Sequence, residues 1–250
     1  MPDVTSLRHD DVLRSNDEAL VVTAATDVRP ESRAENWILP VGIVAGLLAV
    51  SAPIYFARGI GIFDDSVYLK AGQLMLDGLK PYRDFYDNKP PGVYYVSAAI
   101  AAVGGRGWLA PRVFLFLFAA GFQVGFVSWL QRRFDAGVAT ITAVFLGLAY
   151  PLCQGYSLHT EPFGAVAASA ACALLLADAP SWRHWLAAGA LAGVATAFKQ
   201  TGVLYLGAFM VFALFDAPRT GGLSTLPKTL AALTAGFLGA VAPIALIFAV

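Results

Sequence analysis

Residues 37–57 read WILPVGIVAGLLAVSAPIYFA, an uninterrupted apolar stretch without a single charged side chain. A helix needs about 20 apolar residues to cross the hydrocarbon core of a bilayer, so this stretch predicts a membrane span. Further apolar runs at 109–130, 136–152, 162–177, 185–198, 201–215 and 229–250 predict more spans. Lys199 and Gln200 divide 185–198 from 201–215, which fits two thin or tilted spans or one hairpin-like pair. The stretch 90–104 is short for a span and predicts an interfacial or re-entrant helix. The fold class expected is all-α, a multi-pass transmembrane helical bundle whose outer loop contains short interfacial helices.

Composition agrees with that class. The chain has 250 residues, of which 58% are hydrophobic and only 14% charged. Its mean hydropathy is +0.64. A water-soluble domain carries about 25% charged residues. The formal net charge is zero, so no nucleic-acid or acidic-polymer reading follows from charge, and no nucleic-acid partner is expected. Cys153 and Cys172 lie inside apolar segments and are expected as small buried hydrophobes, with no disulfide framework.

Residues 1–36 are rich in Asp, Glu, Arg, Ser and Thr and show no sustained apolar period. They predict a disordered cytoplasmic tail ahead of a transmembrane domain over 37–250. Arg29 and Arg33 precede the first span and place the N-terminus inside. With 90–104 outside, Arg132, Arg133, Arg183, Arg219 and Lys228 all fall in inner loops, as the positive-inside rule requires. Asp135, Asp178 and Asp216 fall there too, and Glu161 lies outside in the turn SLHTEP. The expected location is the cell membrane, with the first loop (about 58–104) on the outer face.

That loop carries Arg58, Asp64, Asp65, Lys70, Lys80, Arg83, Asp84, Asp87 and Lys89. Outward cations run against the orientation rule, so an anionic ligand is a reason for them. Asp64 and Asp65 open a predicted amphipathic helix, Ser66 to Asp77, with Gly78 as its stop. One aspartate of the pair serves as a helix cap in the structural reading; the other is then free as a base or acceptor-orienting group. Tyr68, on the same helix, is a candidate substrate-binding residue. Asn88, Lys89, Pro90 and Pro91 have the form of a helix start, with Asn88 as cap. Lys89 is either part of a rigid turn or a point charge for phosphate beside a helix N-terminus. Glu161 either locks its turn through an outward cation or acts in a site. His159 beside it does not make a metal site by spacing. Arg112 and Lys199 stand near span ends, where snorkelling and ligand contact are both open. Tyr82, Phe85, Tyr86, Tyr94 and Tyr95 are expected mainly as interfacial anchors.

The series FDDSVYLKAGQLMLDGLKPYRDFYDNKPPGVYY at 63–95, APR at 110–112, HTEP at 159–162 and FKQTG at 198–202 resembles the GT-C superfamily of integral-membrane glycosyltransferases. Within it, the resemblance is to the family-39-like enzymes: protein O-mannosyltransferases, aminoarabinose transferases of lipid A and galacturonosyltransferases of lipopolysaccharide core. It covers about 57–202. It implies inverting transfer of a sugar from a polyprenyl-phosphate donor on the non-cytoplasmic face, to a protein, lipid or glycan acceptor. By resemblance, Asp64 takes the position of the acidic residue that activates or orients the acceptor, and Asp65 stands where the family usually has Glu. Lys89 matches the lysine near the lipid phosphate, and Glu161 the acidic residue of the second outer loop. Asp64, Asp65 and Glu161 are thus the candidate catalytic residues, and Lys89, Tyr68, Arg112, His159 and Lys199 the candidate substrate-binding ones. No metal ligand set and no cofactor is implied, although a divalent cation stays open. Family members are longer, so a C-terminally truncated or minimal relative is expected. The competing readings are a transporter or flippase for a lipid-linked or anionic solute, and a non-catalytic membrane subunit. The readings divide on whether Asp64, Lys89 and Glu161 share one cavity.

Overall fold

The computed structural model describes residues 37–57, 63–217 and 222–248. The expected tail over 1–36, with Arg29 and Arg33, lies outside the described residues, as do Arg58 and Arg219. Among the described residues the regular structure is helical: α1 Ile38–Phe56, α2 Phe63–Leu76, α3 Gly92–Gly104, α4 Leu109–Arg133, α5 Ala136–Leu152, α6 Thr160–Leu175, α7 Trp182–Phe198, α8 Val203–Asp216 and α9 Leu226–Phe248. A 3-10 turn, Gln200–Gly202, joins α7 to α8. The all-α bundle expected from the sequence is therefore what the chain forms.

Among the described residues three helices are long and apolar enough to cross a membrane: Ile38–Phe56, Leu109–Arg133 and Leu226–Leu246. Much of their surface stays uncovered by protein, with Val50, Leu117 and Leu238 all exposed. Apolar side chains on the outside of a bundle suit contact with lipid rather than water. The expected spans at 136–152, 162–177 and 201–215 correspond to apolar helices of 14 to 17 residues, below span length. Helix α3 has 13 residues and is likewise too short to cross, as anticipated.

The bundle has two halves. Helices α1, α4 and α5 share a core of Val44, Leu48, Val127, Leu130, Ala139 and Ala143. Helices α6 to α9 share another, built around Ala171, Trp185, Ala192, Phe209 and Leu233. Tyr55, Ile100, Leu115, Tyr150, Leu158 and Phe163 join the halves near the end that carries α2 and α3. At the opposite end Arg133 reaches across to the Leu176 carbonyl at 2.8 Å and to Asp178 at 2.9 Å. Asp135 caps α5 there by accepting from the Val138 amide, and Ser181 and His184 form a capping box on α7.

Backbone proximity sets the packing of α7 on α9. A Cβ on Gly189 would stand 2.0 Å from the Leu233 carbonyl oxygen, and one on Gly236 would stand 1.9 Å from that of Leu186. Small residues let helices in membranes approach this closely, where dispersion rather than hydrophobicity holds them. Both cysteines correct the expectation: Cys153 and Cys172 are free and exposed on the bundle surface, outside the packed cores. Gly189→Ala or Gly236→Ala is expected to destabilise the fold by about 1–3 kcal/mol, the usual cost of overpacking. The check is the thermal unfolding midpoint of the protein in detergent, compared with the distant Gly42→Ala, whose added Cβ meets nothing within 4 Å.

Candidate active site

Helix α2 starts at Phe63, earlier than the Ser66 the sequence suggested, so Asp64 and Asp65 sit inside its first turn. That is a favourable place for carboxylates, at the positive end of the helix dipole. Their side chains then part company. Asp65 is buried and points at the turn before α6, where it accepts from Ser157 Oγ at 2.5 Å and from the Leu158 amide at 2.6 Å. Arg112 Nη2 lies 3.6 Å from its other oxygen, and Arg112 Nη1 donates to the Tyr156 carbonyl at 3.2 Å. Asp65 thus fastens one loop to another, in place of the helix-cap role considered for one of the pair. Arg112 turns inward to the same seam, which settles against snorkelling.

Asp64 remains half-exposed, with His159 Nδ1 at 3.9 Å. His159 Nδ1 also lies 3.7 Å from Glu161, whose other carboxylate oxygen pairs with Lys199 Nζ at 2.5 Å. Thr160 Oγ1 donates to Glu161 at 3.0 Å. The second ring nitrogen of His159, Nε2, is buried without a hydrogen-bond partner. Tyr68 is buried, on the same helical face as Asp64. Burial pushes its phenol upward, and the carboxylates of Asp64, Asp87 and Glu161 add to the shift, so the hydroxyl stays protonated as a donor beside three acids. For Glu161, in the turn ahead of the predicted span, burial pulls the carboxyl up. The Lys199 ammonium and the local hydrogen bonds outweigh it and hold the group at about 2.

The K-P-P turn differs in detail from its expected form. The helix begins at Gly92 with Pro91 at the cap position, and Asn88 caps nothing. The Asn88 amide instead donates to Asp87 at 2.6 Å, and the Asn88 carbonyl accepts from Gln200 Nε2 at 2.5 Å. The Lys89 carbonyl takes the Tyr82 hydroxyl. Tyr94 is fully buried, donates to Asp87 at 2.8 Å and packs edge-on against Tyr82 and Phe85. These tyrosines form the interior of the loop, and Tyr86 and Tyr95 are the loop aromatics that stay exposed. Gly92 abuts the end of α7, where an added Cβ would stand 2.6 Å from the Ala197 carbonyl oxygen. Together, Gln200 and Gly92 bring the Lys89 turn to the Lys199 turn. The Lys89 ammonium makes no ion pair among the described residues.

The sequence-predicted residues therefore gather at one end of the bundle. Asp64, His159, Glu161 and Lys199 form a continuous chain of contacts, Tyr68 stands behind them, and the Lys89 turn is tied alongside. Asp65 and Arg112 form the seam underneath. Sequence reasoning gave no role to Ser157 and Gln200, although both lie within the quoted SLHTEP and FKQTG segments, and it named Asp87 only as a loop charge. Among the described residues no group of His, Cys, Asp and Glu has the arrangement to hold a metal ion.

Residues 88–247 match the family model of the dolichyl-phosphate-mannose-protein mannosyltransferases, well over half the chain. The chain belongs to that family. It is a membrane glycosyltransferase of the GT-C type, and the matched segment takes in Lys89, Arg112, His159, Glu161 and Lys199. Asp64, Asp65 and Tyr68 precede it. No curated protein and no solved structure is matched by this chain.

Two expected outcomes follow from the seam and the ion pair. Asp65→Ala leaves the Arg112 guanidinium buried without its carboxylate, and a lost buried partner costs about 3 kcal/mol or more. Its readout is a lower unfolding midpoint together with faster proteolysis in the 153–159 turn; an unchanged midpoint would remove the clamp. For Glu161, a folded-state value below the ordinary 4.5 means that the carboxylate stabilises the fold above about pH 4.5. That contribution is lost as pH falls from there towards about 2. Carboxylate infrared bands of the folded protein followed against pH, with Glu161→Gln as the subtraction, should show one group titrating with its midpoint at about 2.

Proposed function

We propose that this glycosyltransferase moves a sugar from a polyprenyl-phosphate donor to a hydroxyl acceptor on the non-cytoplasmic face of the cell membrane. The observation that carries the reading is the convergence of Asp64, His159, Glu161 and Lys199 beside the Lys89 turn, at the end of a membrane bundle. In this reading Asp64 takes the proton of the acceptor hydroxyl as its oxygen forms a bond to the anomeric carbon. The bond from that carbon to the phosphate oxygen breaks, and the lipid phosphate leaves with the electron pair. One displacement inverts the anomeric centre. Negative charge grows on the departing phosphate, and the ammonium of Lys89, which has no carboxylate against it among the described residues, is the group that stabilises it. Glu161 holds Lys199 and His159 in place, and the Asp65–Arg112 seam fixes the relation of α2 to the α6 turn.

The apolar surface of α3 and α4 supports a lipid-borne donor. A groove of about 640 Å³ between α3 and the start of α4 is lined by apolar side chains, among them Val96, Ile100, Val113 and Leu117. It offers a prenyl chain a non-aqueous seat. The charges also favour an enzyme over a transporter, because the acids and bases described lie at helix ends rather than midway along the spans.

The test is transfer from a radiolabelled polyprenyl-phosphate sugar by the full chain in membranes. Asp64→Asn is expected to lower transfer by at least about a hundredfold, the lower range for a lost general base. Lys89→Ala is expected to lower kcat more than it raises the donor KM, because it acts on charge that develops during reaction. Full transfer by Asp64→Asn would remove Asp64 from the proton-accepting role.

A further inference from the structure

A second cavity lies on the neighbouring face of α2. It has a volume of about 350 Å³ and is bordered by Ser66, Lys70, Phe85, Tyr86, Asp87 and Tyr94, with apolar positions of α2 as its floor. Ser66 and Lys70 are one helical turn apart on the side of α2 away from Asp64 and Tyr68, and Val67 and Ala71, which also line the cavity, lie three and seven residues from Asp64 and so carry the cavity round towards its side of the helix. At about 1.5 Å rise per residue, Val67 in the cavity stands about 4.5 Å along the axis from Asp64. Asp87 belongs to both places. It borders the cavity, and its carboxylate acts on the buried Tyr68 hydroxyl together with those of Asp64 and Glu161.

The border groups are of distinct kinds. The Lys70 ammonium makes no ion pair among the described residues and is exposed at the rim. Asp87 already accepts from the Tyr94 hydroxyl and the Asn88 amide, yet a carboxylate has lone pairs to accept further donors. Phe85 and the 84% exposed Tyr86 add aromatic rings to the border. The volume falls at the small end of ligand sites, fitting a compact ring better than an extended peptide.

Resting on the function proposed above, we propose that this cavity seats the acceptor, and that the acceptor unit is a sugar ring bearing an acidic group. Lys70 takes the acid, Asp87 and Ser66 take ring hydroxyls, and Tyr86 covers the ring face. The opposite charges of Lys70 and Asp87 fix the direction of the ring, so that one hydroxyl is turned along α2 towards Asp64.

The experiment is equilibrium binding of methyl glucuronide and methyl glucoside to the full chain in detergent, followed by saturation-transfer NMR. Methyl glucuronide should bind at least about tenfold more tightly than the glucoside, the worth of one charge-assisted hydrogen bond. Lys70→Glu should remove that preference, Lys70→Arg should keep it, and Ser66→Trp should fill the cavity and abolish binding of both. Asp64→Asn should bind the glucuronide normally. Transfer that persists in Asp64→Asn would thus defeat the functional reading while leaving the acceptor seat intact. Equal affinity for the two sugars, no binding, or displacement of the glucuronide by prenyl phosphate would overturn the proposal. So would stronger binding of an acidic serine-containing peptide at Lys70.

Discussion

The buried carboxylate of Asp65 is the constraint on which the site depends. Taking a charged carboxylate out of water is expensive, and the cost is offset only where hydrogen bonds and an opposite charge replace the lost hydration. Here Ser157 and the Leu158 amide donate to one oxygen and Arg112 faces the other. These partners come from the turn before α6 and the first turn of α4, so satisfying one side chain locks three segments together. Because Asp64 is the next residue on the same helix, its position relative to His159 and Glu161 follows from the lock. A flexible loop would have to assemble the same arrangement anew at each encounter, with an entropic cost that a preorganised site avoids.

A second constraint comes from the far half of the bundle. Helices α7 and α9 approach so closely at Gly189 and Gly236 that neither position has space for a Cβ. That contact fixes α7, and the end of α7 carries Lys199 and Gln200. Lys199 then pairs with Glu161, and Gln200 holds the Asn88 carbonyl. The cationic side of the site is thus positioned by helix packing, and the acidic side by the Asp65 seam. Two separate stabilising devices meet at His159 and Glu161, where the contacts between acid and base are made.

Much of this was legible in the sequence. Apolar runs too long for a soluble core gave the bundle, because a bilayer imposes its thickness on helix length. The motif residues marked the end where chemistry gathers, since charges beside apolar spans require partners. What stayed hidden were choices among partners. The adjacent pair Asp64–Asp65 gives no sign of which carboxylate turns inward; Ser157, ninety-two positions later, decides it. Nor does the aromatic series around 82–95 show by itself that Tyr94 becomes the loop's interior, because its partners Asp87, Tyr82 and Phe85 are brought to it only by the fold of the turn. The start of α3 was misread for a related reason: the Asn88 carbonyl is held by Gln200, from the far half of the bundle, and the helix waits until Gly92.

Adjacent acids on a helix are separated by about 100° around its axis, so one carboxylate can be buried while the next faces the site. The chain uses this difference to separate tasks that conflict. A clamp needs a carboxylate fully occupied by donors. A proton acceptor needs one that is reachable and incompletely satisfied. Asp65 meets the first condition through Ser157, Leu158 and Arg112, and Asp64 meets the second, half-exposed with the Tyr68 hydroxyl beside it and His159 3.9 Å away. Were the two exchanged, the reactive group would be shut off from substrate and the seam would lose its anchor. The short Asp side chain at position 65 serves this geometry: close contact with the backbone amide of Leu158 leaves no space for an extra methylene without shifting the turn. The acid pair therefore functions as an anchor and a reactive group held at fixed spacing, with the order of the two residues set by which helix face meets the α6 turn.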